Sequence, residues 1–256
     1  MTSFTPFRTP LWLLPLLGGL PLHAQTTDRA TSIEVSHERN HLNNGSPDWK
    51  ETGLRLSHSL GKYRQVDVGV VETRRFGLKD TQVSAGYTLP LAAQWVVGLE
   101  GNYSNTHRVL AKHGVGLTSQ YEFAPAWLAH LGLKHTRYDA TTVNQASVGL
   151  EHYFSSFSWL VSFSPVRAAG TSAYSGSVRG NYYYGDRNSV GLIAAVGEEA
   201  TPVGGNNVVI ADIKSIALVG RHWVSPQWAV NYALGSTSQG SFYTRNGARL
   251  GAQYTF

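Results

Sequence analysis

Along most of this chain, apolar and polar residues alternate with a period of two. That is the mark of a strand with one face in an apolar medium and the other in a polar one. The segment at 243–256 shows it most plainly. Ala248, Leu250, Ala252, Tyr254 and Phe256 share one face, and Gly247, Arg249, Gly251, Gln253 and Thr255 share the other. Residues 95–105 repeat the pattern, with Trp95, Val97, Leu99 and Tyr103 set against Gly98, Glu100, Asn102 and Ser104. The same reading applies to 31–39, 49–60, 64–75, 81–89, 113–123, 127–138, 144–154, 157–164, 172–184, 189–197 and 228–236. A further strand lies within 208–224, where the phase is ambiguous. The pattern predicts about 14 strands, with 12 as the runner-up because the first pair and the 208–224 segment are weakest.

Strands that are apolar on one face and polar on the other, repeated to the end of the chain, predict an all-β fold: a single antiparallel transmembrane β-barrel. Lipid would cover the apolar face and a lumen the polar one. Short joins at 61–63, 90–94, 124–126, 155–156, 185–188 and 225–227 alternate with longer or more polar ones at 40–48, 77–80, 106–112, 139–143, 165–171, 198–207 and 237–242. Short turns on one side and longer loops on the other are a barrel trait, and the short set is expected to face the periplasm. Trp95, Trp127, Trp159, Trp223 and Trp228 stand beside the short turns and form the expected membrane-interface girdle. Tyr254 and Phe256 form the expected assembly signal.

Residues 1–24 read as a signal peptide. Arg8 precedes a short apolar run at 11–17, and Ala24 offers a small residue for cleavage. The run is too short and too rich in proline for a spanning helix, which needs about 20 apolar residues. Residues 25–256 read as one outer-membrane barrel domain. Removing Arg8 lowers the net charge from +5 to about +4. The basic residues are scattered, so lipopolysaccharide phosphates are the expected anions and nucleic acid is not a partner. Cysteine is absent, which removes disulfides and thiolate metal sites. Charged residues make up only 14 %, and mean hydropathy is −0.19. A helical membrane protein would be strongly positive, whereas a barrel averages its two faces to near zero.

Several short motifs recur in order along the chain. They are Ser46-Pro47-Asp48-Trp49, Arg75-Phe76-Gly77 followed by Asp80-Thr81-Gln82-Val83, Ser147-Val148-Gly149 with Tyr153, Tyr184-Gly185-Asp186 with Val190-Gly191-Leu192, and Ser225-Pro226-Gln227-Trp228, before the aromatic tail. In these the chain resembles the YaiO family of outer-membrane β-barrel proteins. The resemblance implies a small outer-membrane barrel and carries over no catalytic residues. Some related barrels are fused to helical repeats in exopolysaccharide secretion, and such repeats are missing here.

The predicted lumen face carries both signs. Its carboxylates are Glu51, Asp67, Glu100, Glu122 and Glu151, and its basic groups are Arg55, His130, Lys134, Arg179 and Arg249. Such rows either steer a solute through a narrow pore or cross-link and close the lumen. Arg75 and Asp80 flank a predicted hairpin, where an Arg–Asp contact could lock the loop or the residues could serve turn chemistry alone. Ten histidines invite a metal or hydrolase reading. His37 and His41 are about 13 Å apart on a strand, too far to share a metal. His58 and Ser59 point to opposite faces. No cofactor and no metal is called for, and no catalytic residue stands out.

These readings combine into a bacterial outer-membrane protein, monomeric, surrounded by lipid and lipopolysaccharide and inserted by the barrel-assembly machinery. It is expected to act as a narrow pore, or as a structural or transport component for small polar or saccharide solutes. The alternatives are a barrel enzyme acting on lipid or peptide through a Ser/His or Asp/His pair near a rim, and a component of exopolysaccharide export.

Overall fold

The computed structural model describes residues 30–204 and 207–256, so the signal-peptide reading lies outside the described residues. The fold is a closed antiparallel barrel of fourteen strands, each paired with its sequence neighbours, with the last strand closing on the first. In chain order they are β1 (Thr31–Leu42), β2 (Trp49–Gly61), β3 (Arg64–Arg75), β4 (Leu78–Ala92), β5 (Trp95–Ser104), β6 (His113–Ala124) and β7 (Trp127–Arg137). There follow β8 (Thr142–Phe154), β9 (Phe157–Ala168), β10 (Thr171–Tyr184), β11 (Asn188–Gly204), β12 (Asn207–Trp223), β13 (Trp228–Gln239) and β14 (Tyr243–Thr255). Closure sets Ile33 opposite Tyr254 and Val35 opposite Ala252, so both terminal strands are paired on both sides and no sheet edge is left.

The outer surface is apolar. Val35, Leu56, Val68, Val83, Leu99, Val115, Leu133, Val148, Val161, Val178, Leu192, Ile216, Leu234 and Leu250 are all exposed on the outward phase. In water such a surface would exceed any tolerated apolar patch; in a bilayer it is the contact with acyl chains. The inward phase holds small, polar and charged side chains, with buried apolar ones such as Leu128, Leu160, Ile193 and Ile213 among them.

Several joins that the sequence predicts to be loops are strand. The β9 ladder runs through Pro165 to Ala168, β11 extends to Gly204, β12 starts at Asn207, and β13 reaches Gln239. Beyond the apolar band a strand needs only its ladder hydrogen bonds, so polar sequence there continues the sheet without alternation. Pro165 leaves a trace. It has no N–H to donate, and the β8–β9 pairing breaks off at Gln145↔Val166 and resumes at Val148↔Phe163. Of the Gly204–Asn207 segment, positions 205 and 206 lie outside the described residues.

The 208–224 segment has no readable phase because β12 is apolar on both sides. Ile213, Ala217 and Val219 are buried inward, while Ile216 is exposed outward. Ile193 and Ala233 from the neighbouring strands complete this inward apolar wall.

Candidate functional site

The candidate site is the barrel interior with its two mouths. One end carries the turns Lys62-Tyr63, Ala93-Gln94, Pro125-Ala126 and Ser155-Ser156 together with the start of β1 and the end of β14; we call it the turn end. The opposite end carries the 43–48, 105–112 and 138–141 loops and is called the loop end.

At mid-height the wall is a set of cross-strand pairs. Asp67 accepts from Arg55 Nη2 at 2.6 Å, from the Ser57 hydroxyl at 2.6 Å and from the Gln65 amide at 2.9 Å. Arg249 on β14 donates to Glu34 at 3.2 Å and to Ser36 at 3.1 Å, across the seam where the barrel closes. Lys134 and Glu100 stand 3.5 Å apart and remain partly open to the lumen. His130 Nε2 and Glu151 Oε2 meet at 2.9 Å, both almost fully buried. Glycine makes room for these pairs. A Cβ at Gly116 would lie 2.7 Å from Glu100 Cγ, so the Glu100 side chain occupies space that an alanine would take.

Opposite this polar wall stands the apolar one of β11–β13, made of Ile193, Ala217, Val219 and Ala233. Arg179 lies on the inward phase of β10, donates to Asn181 Oδ1 at 2.8 Å and has no carboxylate partner among the described residues. The lumen is therefore two-faced, ionic on one side and carrying an apolar patch on the other, with Glu199 and Arg221 inward towards the two ends of that patch.

The turn end is narrowed by Tyr63. It sits in the β2–β3 turn with a left-handed φ of 58°, which sends its ring inward onto Val96, Leu128 and Tyr153. Burial pushes the Tyr63 hydroxyl pKa up, and the Glu122 carboxylate adds to the shift. Glu122 itself accepts the backbone N–H of Ala126 at 3.1 Å and so holds a turn.

The loop end is closed more completely. Trp49 is buried there between Phe76, at 5.2 Å, and Tyr243, at 5.5 Å. Two guanidiniums face its ring, Arg75 at 4.9 Å and Arg245 at 5.4 Å. Arg75 also reaches Glu51 at 3.5 Å, and Thr73 donates to the same carboxylate at 3.0 Å. The 105–112 loop then folds into the mouth. Its Val109, Leu110 and Ala111 are buried, and Ala111 packs with Val143, Val166, Ala173 and Val208 from four wall strands. Tyr138 of the neighbouring loop joins that cluster, and burial drives its hydroxyl pKa well above the ordinary phenol value. Asp80 fixes the loop. Its Oδ2 accepts the backbone N–H groups of Val109 at 2.6 Å and Leu110 at 2.9 Å, and Arg108 Nε stands 3.6 Å from its other oxygen.

The ten charged residues assigned to the lumen from sequence all lie on the inward phase of their strands. Arg75 and Asp80 are both buried near the loop end, with Arg75 at Glu51 and Asp80 at the 105–112 loop. Trp95 and Trp228 are exposed on the lipid side, Trp127 and Trp159 meet edge to face at 5.7 Å, and Tyr254 contacts both Trp228 and Phe256 at 5.0 Å. Trp223 differs: it shares the inward phase of β12, with Arg187 stacked 3.8 Å over its ring. Sequence reasoning passed over Glu34, Glu199, Arg221 and Arg245, all inward; Arg245 shares the polar phase of β14 with Arg249, which was a readable signal. His37 pairs with Thr52 and His58 with Thr31, both at hydrogen-bond distance on the barrel wall. His107 and Asp139, on adjacent loops, meet at 2.5 Å.

Residues 30–201 match the model of the YaiO membrane beta barrel domain. No match was found among curated proteins. Among solved structures, the fold is similar to a CymD monoaromatic hydrocarbon channel, with a TM-score of 0.61 and 11 % identity over 90 % of this chain and 88 % of that one. It is also similar to a bacterial polysaccharide outer membrane secretin, with a TM-score of 0.57 and 11 % identity over 88 % of this chain and 98 % of that one. A KdgM porin gives 0.50 at 9 % identity over 87 % of this chain and 99 % of that one.

Proposed function

The chain belongs to the YaiO family of membrane β-barrels, and from that premise we propose that it is an outer-membrane channel of narrow bore for small polar or saccharide solutes, closed at rest on its extracellular side. The turn end faces the periplasm and the loop end the exterior. The observation that carries this reading is the 105–112 loop, seated in the mouth through Asp80 while the mid-height lumen behind it keeps Glu100 and Lys134 partly open. A purely structural barrel has no need of a separate stopper above lumen groups that stay partly open. The two-faced lumen suits a sugar, which presents hydroxyls to the ionic wall and its C–H face to the apolar one, with Arg179 as an added contact for an anionic group.

The test is single-channel recording in planar bilayers. Wild-type protein should give small, infrequent openings, and Asp80→Ala should raise open probability severalfold. Silence from both proteins, with normal heat-modifiable migration, would sink the channel reading.

A second reading is a barrel enzyme built on the partly buried His107–Asp139 pair, in which the carboxylate orients the imidazole as a general base. The pair also ties two loops together, which is a sufficient role for it. Lipid or peptide hydrolysis that vanishes in His107→Ala would favour the enzyme; equal background in both proteins would dismiss it.

A further inference from the structure

Basic side chains also lie on the outside of the barrel, at the rim of the loop end. In the other sectors most of them share carboxylates, although Lys50 of β2 stands exposed between Arg39 and Arg74 in the register. Arg39 and His41 share Asp48, Arg74 and Lys79 share Glu72, and Lys214 lies on β12 two residues from Asp212. The β6–β9 sector is different. His113, His135, Arg137 and Arg167 are all exposed there, side by side. The register sets His113 opposite Arg137, His135 opposite Asn144, and Asn144 opposite Arg167. Among the described residues, no carboxylate pairs with His113, His135, Arg137 or Arg167. Arg137 gives its donors to the Thr142 hydroxyl at 2.8 Å and the Asp139 backbone carbonyl at 3.4 Å. The Asp139 carboxylate is engaged by His107.

The height of this cluster is set by the strand. Trp127, in the periplasmic girdle, and Arg137 lie on the same outward phase of β7, ten residues apart. Ten residues rise about 33 Å along the strand, or about 25 Å of membrane depth at a tilt of about 40°. That is the thickness of the apolar band, so Arg137 stands at the opposite headgroup level. Directly below it, Val115, Leu133, Phe163 and Tyr174 are exposed to acyl chains. Arg137 and Arg167 are two strand spacings apart and offset by two residues along the strands, about 12 Å in all. A guanidinium binds phosphate through paired N–H donors, and the adjacent His135 and Asn144 offer polar contacts to sugar hydroxyls.

We propose that the outer face of β6–β9 is a binding site for a phosphorylated glycolipid of the outer leaflet, with Arg137 and Arg167 holding its phosphates and His113 at the flank. The site rests on the outer-membrane placement proposed above and is independent of whether the lumen conducts. It adds a lipid contact on one sector only, so the barrel would carry a fixed lipid on that side.

The test uses the whole refolded barrel in phosphatidylcholine vesicles, with the thermal unfolding midpoint followed as diphosphoryl lipid A is added. Wild-type protein should be stabilised by it, and dephosphorylated lipid A should do little. Arg137→Gln/Arg167→Gln should need about tenfold more lipid A for the same shift. Arg74→Gln, on the same rim but ion-paired, should behave as wild type. Equal responses of the double variant and wild type would overturn the site, as would equal stabilisation by dephosphorylated lipid A or by phosphatidylglycerol of matched charge. Failure of the placement reads differently: cell fractionation would find no heat-modifiable barrel in the outer membrane before any lipid is added.

Discussion

Asp80 accepts the backbone N–H of Leu110 at 2.9 Å, thirty residues along the chain, and so ties the stopper loop to the barrel wall. Asp80 is 1 % exposed and Leu110 7 %, so water cannot replace the bond. An unpartnered buried N–H costs about 1–3 kcal/mol. Asp80→Ala should therefore loosen the 105–112 loop without unfolding the barrel. Limited proteolysis should cut that loop in the variant and spare it in wild type, and equal resistance would show that the apolar cluster around Ala111 holds the loop unaided.

Leu99 lies outward on β5 with 53 % of its surface exposed. A charge at mid-membrane on the lipid face of a barrel costs about 2–4 kcal/mol. Leu99→Arg should lose heat-modifiable migration or fold in low yield. The neighbouring inward position should respond to size instead of charge, because a Cβ at Gly98 would lie 2.6 Å from Thr118 Oγ1. Normal folding of Leu99→Arg would overturn the assignment of faces.

The His130–Glu151 pair is nearly sealed, at 2 % and 4 % side-chain exposure. Removing one member of a buried pair leaves an uncompensated group and costs about 3–5 kcal/mol, while replacing both by apolar residues is often neutral. His130→Leu should lower the urea midpoint clearly, and His130→Leu/Glu151→Leu should recover most of the loss. Additive losses in the double variant would mean that the two groups are stabilised by other neighbours.

The 43–48 loop at the loop end has its own acid-labile clasp. The hydrogen bond from His41 to Asp48, with a second from Arg39, holds the Asp48 carboxyl below the usual carboxylate range. A depressed carboxyl stabilises the folded form above its ordinary pKa, and that contribution disappears as pH falls through the lower folded value. The hydrogen-exchange protection of residues 43–48, taken relative to the intrinsic rate at each pH, should be unchanged from neutral pH down to the ordinary carboxylate pKa and should fall below it. Asp48→Asn should exchange faster already at neutral pH. No difference between variant and wild type would show that the clasp does not restrain the loop.

What the sequence determined by itself is which residues face lipid and which face inward; it put the strand number at about 14 with 12 as the runner-up, and the closed ladder of fourteen decided between them. Side-chain direction alternates with a strictly local period, so Leu99 and Glu100 declare their faces without reference to any distant residue. The one failure has a local cause as well: β12 packs Ile213, Ala217 and Val219 inward and so erases the contrast that alternation needs. The tertiary structure alone decided how the interior is filled. Arg249 meets Glu34 only because closure brings β14 beside β1. Asp80 meets Val109 and Leu110 only because a loop, which has no period, turns into the mouth instead of away from it. The rim cluster of Arg137 and Arg167 likewise depends on register across three strands, since neither residue's neighbours in sequence show that the other stands beside it.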